Sequence, residues 1–396
     1  MDAANTNNDN CNRREFVLAS GLFVVGGLVS CNEFEKTLSP EAVKPKSQPP
    51  LDPTSIRVRI GKNAEKVTIA NNTFNKSILG NKPLKVEIKP NTKVIVNGKT
   101  KTTSGLIMLH PNKNNTFDVV LHVSVEKYLP GVLAGELFAH WHPTTFAAQA
   151  VAARSYAVNL HLERITKSHF DVTDGPSSQM FLGDVTLDVA HRAVQETNGI
   201  VLRWNKKIIP AYYSACCGGL AATAYDAISS AESHQITPLQ GHSGKDKCTT
   251  LKIRSWNTER SARLLRRRLN ACANSMNIPS FADIRSIHSV EPSAINQHGR
   301  PATLAITCRR KKVYEVRAID FMHAANTNVS ALPNPQRKLQ SSFLVGKKAG
   351  SNLELSGHGM GHGVGLCQYG AQELAGAGES WQNILAWYYP KAEINS

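Results

Sequence analysis

The chain has 396 residues, of which 41% are hydrophobic. That is enough for one large domain or two of ordinary size, and it argues against global disorder. The formal net charge of +16 suits nucleic acid, anionic lipid headgroups or an acidic polymer. The basic runs at 266–268 and 309–312 are typical of solvated faces. Since no zinc-finger spacing or RNA-binding aromatic signature accompanies them, we do not expect nucleic acid as a partner.

The N-terminal residues predict export. An arginine pair at 13–14 precedes the apolar run 16–29, which has the length of a signal-peptide core and is too short for a membrane helix. The arginine pair followed by Phe16 resembles a twin-arginine signal. Residues 28–31 (LVSC) resemble a lipobox, in which Cys31 is lipidated and becomes the new N-terminus; a plain signal peptide with a chance cysteine is the alternative. We therefore expect an exported protein, lipid-anchored to the cell membrane and facing the periplasm or cell wall.

The composition divides the chain into four parts. Residues 1–31 form the signal with its lipobox, and residues 32–55, rich in Pro, Lys and Ser, form a flexible tether. Residues 56–119 alternate apolar and polar positions and carry a hairpin signal at 97–98, which predicts a small β-rich unit. Residues 120–392 mix helical and strand patterns. The predicted fold class is α+β.

The larger unit begins with two predicted helices, at 126–140 and 144–163, on either side of a break at Pro143. The middle of the second helix is apolar nearly all round, which is typical of a buried core helix. Further along the chain we predict strands at 200–204, 208–213, 301–307 and 313–319, a basic helix at 254–275, and a glycine loop followed by a closing helix within 357–390.

Glu136 is a carboxylate in an apolar stretch, flanked by Leu133, Leu137 and Phe138. An apolar setting disfavours the ionised form of a carboxylate, and a general acid near neutral pH must stay protonated. The residues alone leave a second interpretation open, in which Glu136 only neutralises a buried Arg154.

Four segments in order resemble the SpoIID/LytB family, in which a Y-L-x-G-V segment leads to a Glu and then to a helix reading K-A-Q-A-V-A-A-R-T-Y-A. The first is 125–136 (VEKYLPGVLAGE), followed by 146–157 (FAAQAVAARSYA). The others, which together extend the resemblance over about 120–390, are 170–183, 211–219, and 361–371 with 384–390.

The resemblance implies a SpoIID-like catalytic domain that acts as a lytic transglycosylase on peptidoglycan glycan strands, with Glu136 as the catalytic acid. Ordinary glycosidases need two carboxylates. A lytic transglycosylase needs one acid/base, because the C6 hydroxyl of N-acetylmuramic acid is a tethered nucleophile. The resemblance also implies the following substrate-binding residues: Gln149, Arg154, Gln179, Tyr213, Ser214, His362, Gln368 and Tyr369.

One departure from the family concerns metal. Many relatives carry a D-V-C-D-T-T-H-C-Q loop whose Cys and His residues can hold zinc. The aligned positions here are Thr173, Ser177 and Ser178, so we predict no metal in the loop 169–183. His169 remains, and a single solvated histidine is no site. We expect no cofactor.

A second departure concerns cysteine. The family's Tyr-His-Ser becomes Tyr-Tyr-Ser at 212–214, followed by Cys216 and Cys217. Either cysteine could pair with Cys248, or all could be free buried thiols. The absence of any C-x-x-C pair argues against structural zinc. Apart from Cys11 in the leader and lipidated Cys31, the remaining cysteines are Cys216, Cys217, Cys248, Cys272, Cys308 and Cys367.

Glycine occupies every second position in 357–365, which disfavours a helix and hence a helical metal pair of His358 and His362. Alternating glycines let backbone come close to a ligand. The segment therefore predicts either a wall of the substrate cleft, with His362 and Gln368 facing sugar, or a tightly packed hairpin.

Two other functions remain open. A non-catalytic protein that binds glycan and enhances a cell-wall amidase would keep the cleft without needing Glu136 as an acid. A cysteine hydrolase would use Cys367 with His362, but no orienting Asp or Asn is evident. The expected partners are peptidoglycan, the membrane through the lipid and, in the enhancer interpretation, an amidase.

Overall fold

The computed structural model describes residues 55–250, 254–335 and 337–395. The predicted signal peptide, Cys31 and all but the last residue of the predicted tether lie outside these residues. Within them, no helix combines the length and the apolar character needed to cross a membrane.

A seven-stranded sheet forms the N-terminal part, in the order β3-β2-β4-β5-β6-β1-β7. The predicted hairpin is confirmed: Asn97 and Gly98 turn between β4 and β5 with φ of 48° and 72°, the left-handed region that such turns require. The sheet runs on through Ser124 and gains a parallel strand from beyond the first two long helices, since Val58 of β1 pairs with Val172. Its elements are β1 (Ser55–Ala64), β2 (Lys66–Ile69), β3 (Asn72–Asn75), the short helix α1 (Lys76–Leu79), β4 (Leu84–Val96), β5 (Lys99–Pro111), β6 (Phe117–Ser124) and β7 (Val172–Thr173).

Two helices follow β6, as predicted, and pack against the sheet. Helix α2 (Val125–Glu136) ends four residues before the predicted end at 140, because Leu137 is extended and turns into the core together with Trp141. Helix α3 (Pro143–Arg164) is buried on all sides through its middle, which confirms the predicted core helix. A third helix, α4 (Asp188–Glu196), covers both.

The next segment is mostly irregular. It contains β8 (Val201–Trp204), β9 (Lys207–Ile208), β10 (Tyr213–Ser214) and the short helix α5 (Ala224–Ala227). The predicted strand at 208–213 is therefore wrong between its ends, where Pro210 cannot donate a ladder hydrogen bond.

Residues 255–358 build a separate six-stranded antiparallel sheet with its own core. The predicted basic helix at 254–275 is half wrong: residues 255–261 are a strand, because they pair in register with 352–358, and Ser261 then caps the helix. The strand at 301–307 is confirmed, and the strand at 313–319 ends early at Arg317. The elements are β11 (Ser255–Ser261), α6 (Ala262–Cys272), α7 (Pro279–Asp283), β12 (Ser289–Ile295), β13 (Pro301–Thr307), β14 (Val313–Arg317), α8 (Ala318–Asn326), β15 (Leu344–Ala349) and β16 (Asn352–His358).

The C-terminal segment returns to the first part of the molecule. The glycine-rich residues after β16 are not helical, as predicted, with positive φ at the glycines of 359–365. They lead into β17 (Leu366–Cys367), which pairs in parallel with β10 and delivers the next helix onto α3. The elements that close this α+β fold are α9 (Gln368–Gly376), α10 (Trp381–Tyr388) and β18 (Glu393–Asn395).

Candidate active site

Glu136 is the last residue of α2, and both of its carboxylate oxygens accept hydrogen bonds. The backbone N–H of Met180 donates to Oε1 at 2.8 Å, and the side-chain amide of Gln368 donates to Oε2 at 3.3 Å. The loop that carries Met180 can come this close because Gly131 and Gly135 face it; a Cβ on Gly135 would lie 2.8 Å from the carbonyl oxygen of Met180. The carboxyl group is half-buried and held in one position.

A pair of buried amides lies behind this carboxyl group. Gln368 begins α9, and its Nε2 lies 3.5 Å from Oε1 of Gln149, which α3 contributes. The Nε2 of Gln149 is buried without a hydrogen-bond partner. A buried donor of this kind costs stability unless a water or a ligand accepts its hydrogen bond.

Three aromatic rings form a cluster close in sequence to Glu136 and to its partner Gln368. The ring of Trp141 lies 5.0 Å from that of Tyr369 and 5.4 Å from that of Phe138, between ring centroids. Tyr369 and Phe138 are only partly buried. These half-exposed rings next to a carboxyl group suit the apolar face of a sugar.

Gln179 and Tyr213 are fixed beneath the carboxyl group by one hydrogen-bond chain. Tyr128 donates to Gln179 Oε1 at 3.2 Å, and Gln179 Nε2 donates to the Tyr213 hydroxyl at 3.0 Å. Burial, and then the charge of Glu136, raise the pKa of Tyr213 well above its ordinary value, so this hydroxyl stays protonated.

Arg154 does not lie in this cluster, which corrects the predicted contact with substrate. Its guanidinium is 2% exposed and makes a two-pronged ion pair with Glu126, at 2.7 and 2.8 Å. Glu126, and not Glu136, therefore neutralises Arg154. Asp171, the acidic residue of the neighbouring loop, is bound by Arg57 and His161.

Ser214 and His362 hold the glycine loop to the strand beside it. Ser214 Oγ accepts the N–H of Gly363 at 3.1 Å, and His362 Nδ1 accepts the N–H of Val364 at 2.9 Å. Burial, and then the charge of Arg300, lower the pKa of His362 to about 4, so the ring is neutral at neutral pH. These contacts favour the packed hairpin over a histidine that faces sugar.

The loop 169–183 carries hydroxyl groups at the positions compared above with the Cys and His residues of the family pattern. Thr173 and Ser177 hydrogen-bond to each other at 3.0 Å through their hydroxyls. His169 was predicted to be solvated. In the structure its Nε2 instead lies 3.1 Å from the buried carboxylate of Asp118. The expectation that this loop binds no metal stays a prediction.

Four buried side chains that could bind a metal ion lie together, and no sequence pattern indicated this cluster. Ligand atoms of Cys217, Asp246, Cys248 and Cys367 all lie within 4.8 Å of one another. The six cysteines in the described part of the chain are buried, and none of them forms a disulfide in this structure. No spacing rule could find this group, because its members come from three separate segments.

The same contacts count against a cysteine hydrolase. Cys367 is 1% exposed, and its sulfur accepts the backbone N–H groups of Cys217 and Gly370 at 3.3 and 3.4 Å. A nucleophilic cysteine needs a base within hydrogen-bond reach and access to substrate. His362 instead accepts a backbone N–H of its own loop.

Residues 113–204 match the model of the family described as Stage II sporulation protein. The chain is similar to an uncharacterised protein of Brachyspira hyodysenteriae, at 29% identity over 73% of this chain and 71% of that protein. It is similar to the amidase enhancer of Bacillus subtilis, at 29% identity over 68% of this chain. It is also similar to the stage II sporulation protein D of the same organism, at 23% identity over 70% of this chain and 76% of that protein.

The match with the amidase enhancer spans only 40% of that relative's length. The matched family region holds α2, α3 and the loop that contacts Glu136. The remaining residues of the cluster come from β10 and from the C-terminal segment, which lie outside the matched region. These matches support the resemblance of the chain to the SpoIID/LytB family.

Proposed function

We propose that this chain is a lytic transglycosylase that cleaves peptidoglycan glycan strands after N-acetylmuramic acid, with Glu136 as the single acid/base. The observation that carries the proposal is the convergence of α2, α3, α9 and the loop 170–183 on one carboxyl group. The match with the family model and the relatives' names support a role at the cell wall.

The reaction needs one carboxyl group that first donates a proton to the substrate and later accepts a proton from it. Glu136, protonated, gives its proton to the glycosidic oxygen as the bond to the muramyl C1 breaks. The C6 hydroxyl of the same muramyl residue then attacks C1, and its proton returns to Glu136. The product is a 1,6-anhydro ring, no water is consumed, and the enzyme is regenerated.

Other carboxylates of the contacting loop are already engaged by cations. Asp171 is paired with Arg57, and Asp174 lies 2.9 Å from Lys101. A two-carboxylate hydrolysis would need a second group free to activate water or to attack the sugar. These ion pairs favour the single-carboxylate route.

The test is product analysis on purified peptidoglycan. We expect mass spectrometry to find fragments ending in anhydro-muramic acid after incubation with the wild-type chain. Reducing-end sugars would indicate hydrolysis, and intact strands would indicate binding without cleavage. Either outcome would overturn the proposed reaction.

The second candidate function is that of a glycan-binding amidase enhancer. One observation favours it: a relative at 29% identity carries the name amidase enhancer. In that role the aromatic rings would bind glycan and Glu136 would serve only as a hydrogen-bond acceptor. Stimulation of a cell-wall amidase by both wild type and Glu136→Gln, without anhydro product, would establish it.

We also propose that the protein works at the outer face of a membrane, tethered through Cys31. The lipobox-like LVSC at 28–31 and the Pro/Lys-rich residues after it support this location. Wild-type protein should partition with membranes, and Cys31→Ser should appear in the soluble fraction. Equal membrane retention of the two proteins would contradict the anchor.

A further inference from the structure

The buried ligand cluster lies between the start of α9 and the segment that follows β10. The sulfurs of Cys217 and Cys248 are 3.6 Å apart. Two thiolates that bind the same tetrahedral zinc at about 2.3 Å must lie about 3.7 Å apart. All four members are buried, with exposures of 0–1%.

We propose that Cys217, Asp246, Cys248 and Cys367 form a mononuclear binding site for a thiophilic divalent cation of the zinc class. Three sulfurs and one carboxylate oxygen match the soft, four-coordinate donor sets that zinc prefers. The ligand atoms are too close together for a multi-iron cluster and leave no position open to solvent. The site is therefore structural in character and separate from the loop where relatives carry Cys and His.

Hydrogen-bond donors surround the ligands as an outer shell. The carboxylate of Asp246 accepts the N–H of Cys248 at 2.8 Å and the Tyr388 hydroxyl at 2.8 Å. The sulfur of Cys367 accepts two backbone N–H groups, from Cys217 and Gly370. Outer contacts of this kind hold ligands in their anionic forms and fix their direction.

The charge of a nearby buried arginine also supports a metal site. Arg300 is fully buried, its Nη1 donates to the carbonyl oxygens of Cys217 and Leu220, and its Nε and Nη2 have no hydrogen-bond partner. A buried cation without an anionic partner is costly. Three thiolates and a carboxylate around a divalent ion carry a net negative charge, which this guanidinium offsets in part.

A bound ion would tie together segments that are distant in sequence. Cys367 caps α9 and precedes Gln368, whose amide reaches Glu136. Ligation at Cys367 would therefore fix the start of α9. The proposal does not depend on any catalytic role for Glu136.

The experiment uses the full chain, purified without a metal-affinity step. Elemental analysis should find stoichiometric zinc in wild type, and Cys248→Ser and Cys367→Ser should lose it. Cys308→Ser should keep it, since Cys308 lies in the other core and its sulfur donates to the carbonyl oxygen of Ser286, which a hydroxyl can also do. Metal loss in all three variants, or none in any, would overturn the assignment.

A second measurement on wild type covers variants that fail to fold. Refolding with Co²⁺ should give thiolate-to-cobalt charge-transfer absorption, and refolding in chelator should lower the recovery of folded protein. Alkylation in denaturant should give the same mass before and after reduction. A mass increase after reduction, with no metal, would identify a Cys217–Cys248 disulfide instead. Free thiols without metal or a cobalt band would equally overturn the proposal.

Discussion

Among the single residues, Arg154 has a role that its ion-pair partner determines. An arginine in a helix that otherwise consists of small apolar residues must find an anion, and Glu126 supplies one from the first turn of α2. The pair locks α2 to α3 at the opposite end from Glu136. Because Glu126 neutralises Arg154, the carboxyl group of Glu136 does not have to do so and can contact substrate.

Replacing Glu126 tests this structural role. Glu126→Gln leaves a buried guanidinium with a weaker partner, so the free energy of unfolding should fall by about 2–4 kcal/mol. The exposed Glu163 on α3 provides the control, and Glu163→Gln should change the same quantity by less than about 0.5 kcal/mol. Denaturant unfolding of both variants checks the prediction; equal stabilities would mean that the pair contributes little.

Among the structural elements, the glycine-rich loop 359–365 can adopt its conformation only because of its glycines. Gly363 has φ of 77°, and a Cβ added there would lie 2.6 Å from Nη1 of Arg300. The loop thus packs against the buried Arg300. The N–H of Gly363 donates a hydrogen bond to Ser214 of β10. The alternation of glycine in the sequence predicted close approach of backbone, and what the loop approaches is protein.

Gly363→Ala should therefore destabilise the fold by at least about 2 kcal/mol, from backbone strain and from displacement of Arg300. Gly376, in the last turn of α9, has open space around it and an ordinary φ. Gly376→Ala should leave the thermal midpoint unchanged or raise it slightly. Similar midpoints for the two variants would contradict the packing described for the loop.

Local patterns predicted the elements that local physics determines. The alternating strands, the Asn97–Gly98 hairpin and the apolar helix α3 all follow from propensity and period. The strand at 255–261 does not, because its pairing partner lies about a hundred residues later and overrides a helical pattern.

The same distinction holds for the candidate site. Motif resemblance placed Glu136, Gln149 and Gln368, which the structure brings together. It also marked Arg154 and Ser214, which support the framework instead. A family pattern records that a residue type is needed at a position and does not say whether it touches substrate or another part of the fold.

Across the whole molecule, histidines whose pKa values are lowered link stability to pH, and the shifts of His110 and His362 are large. Burial lowers the pKa of His110 to about 4, with His169 and His122 adding to the effect, and His362 has a similarly low pKa. Their ordinary value is about 6.5. Between these values the unfolded chain binds more protons than the folded chain, so stability falls as the pH is lowered from 6.5 towards 4.

We expect a loss of about 1–2 kcal/mol per histidine between pH 7 and pH 5, measured by denaturant unfolding. His362→Asn should make this pH dependence shallower, because asparagine can still accept the Val364 N–H and does not titrate. The exposed His191 is the control, and His191→Asn should leave the slope unchanged. A pH-independent stability over this range would contradict the buried, neutral state of both rings.

The most direct test of the account is the rate at which anhydro-muramyl ends appear when Glu136 is replaced. Glu136→Gln keeps the shape and can still accept the Met180 N–H at its amide oxygen, but it cannot donate and retrieve the proton. We predict that it folds and binds glycan strands like wild type while the rate falls by about 10²–10⁴-fold, and that Glu163→Gln cleaves normally. Cleavage by Glu136→Gln at the wild-type rate would contradict the central claim.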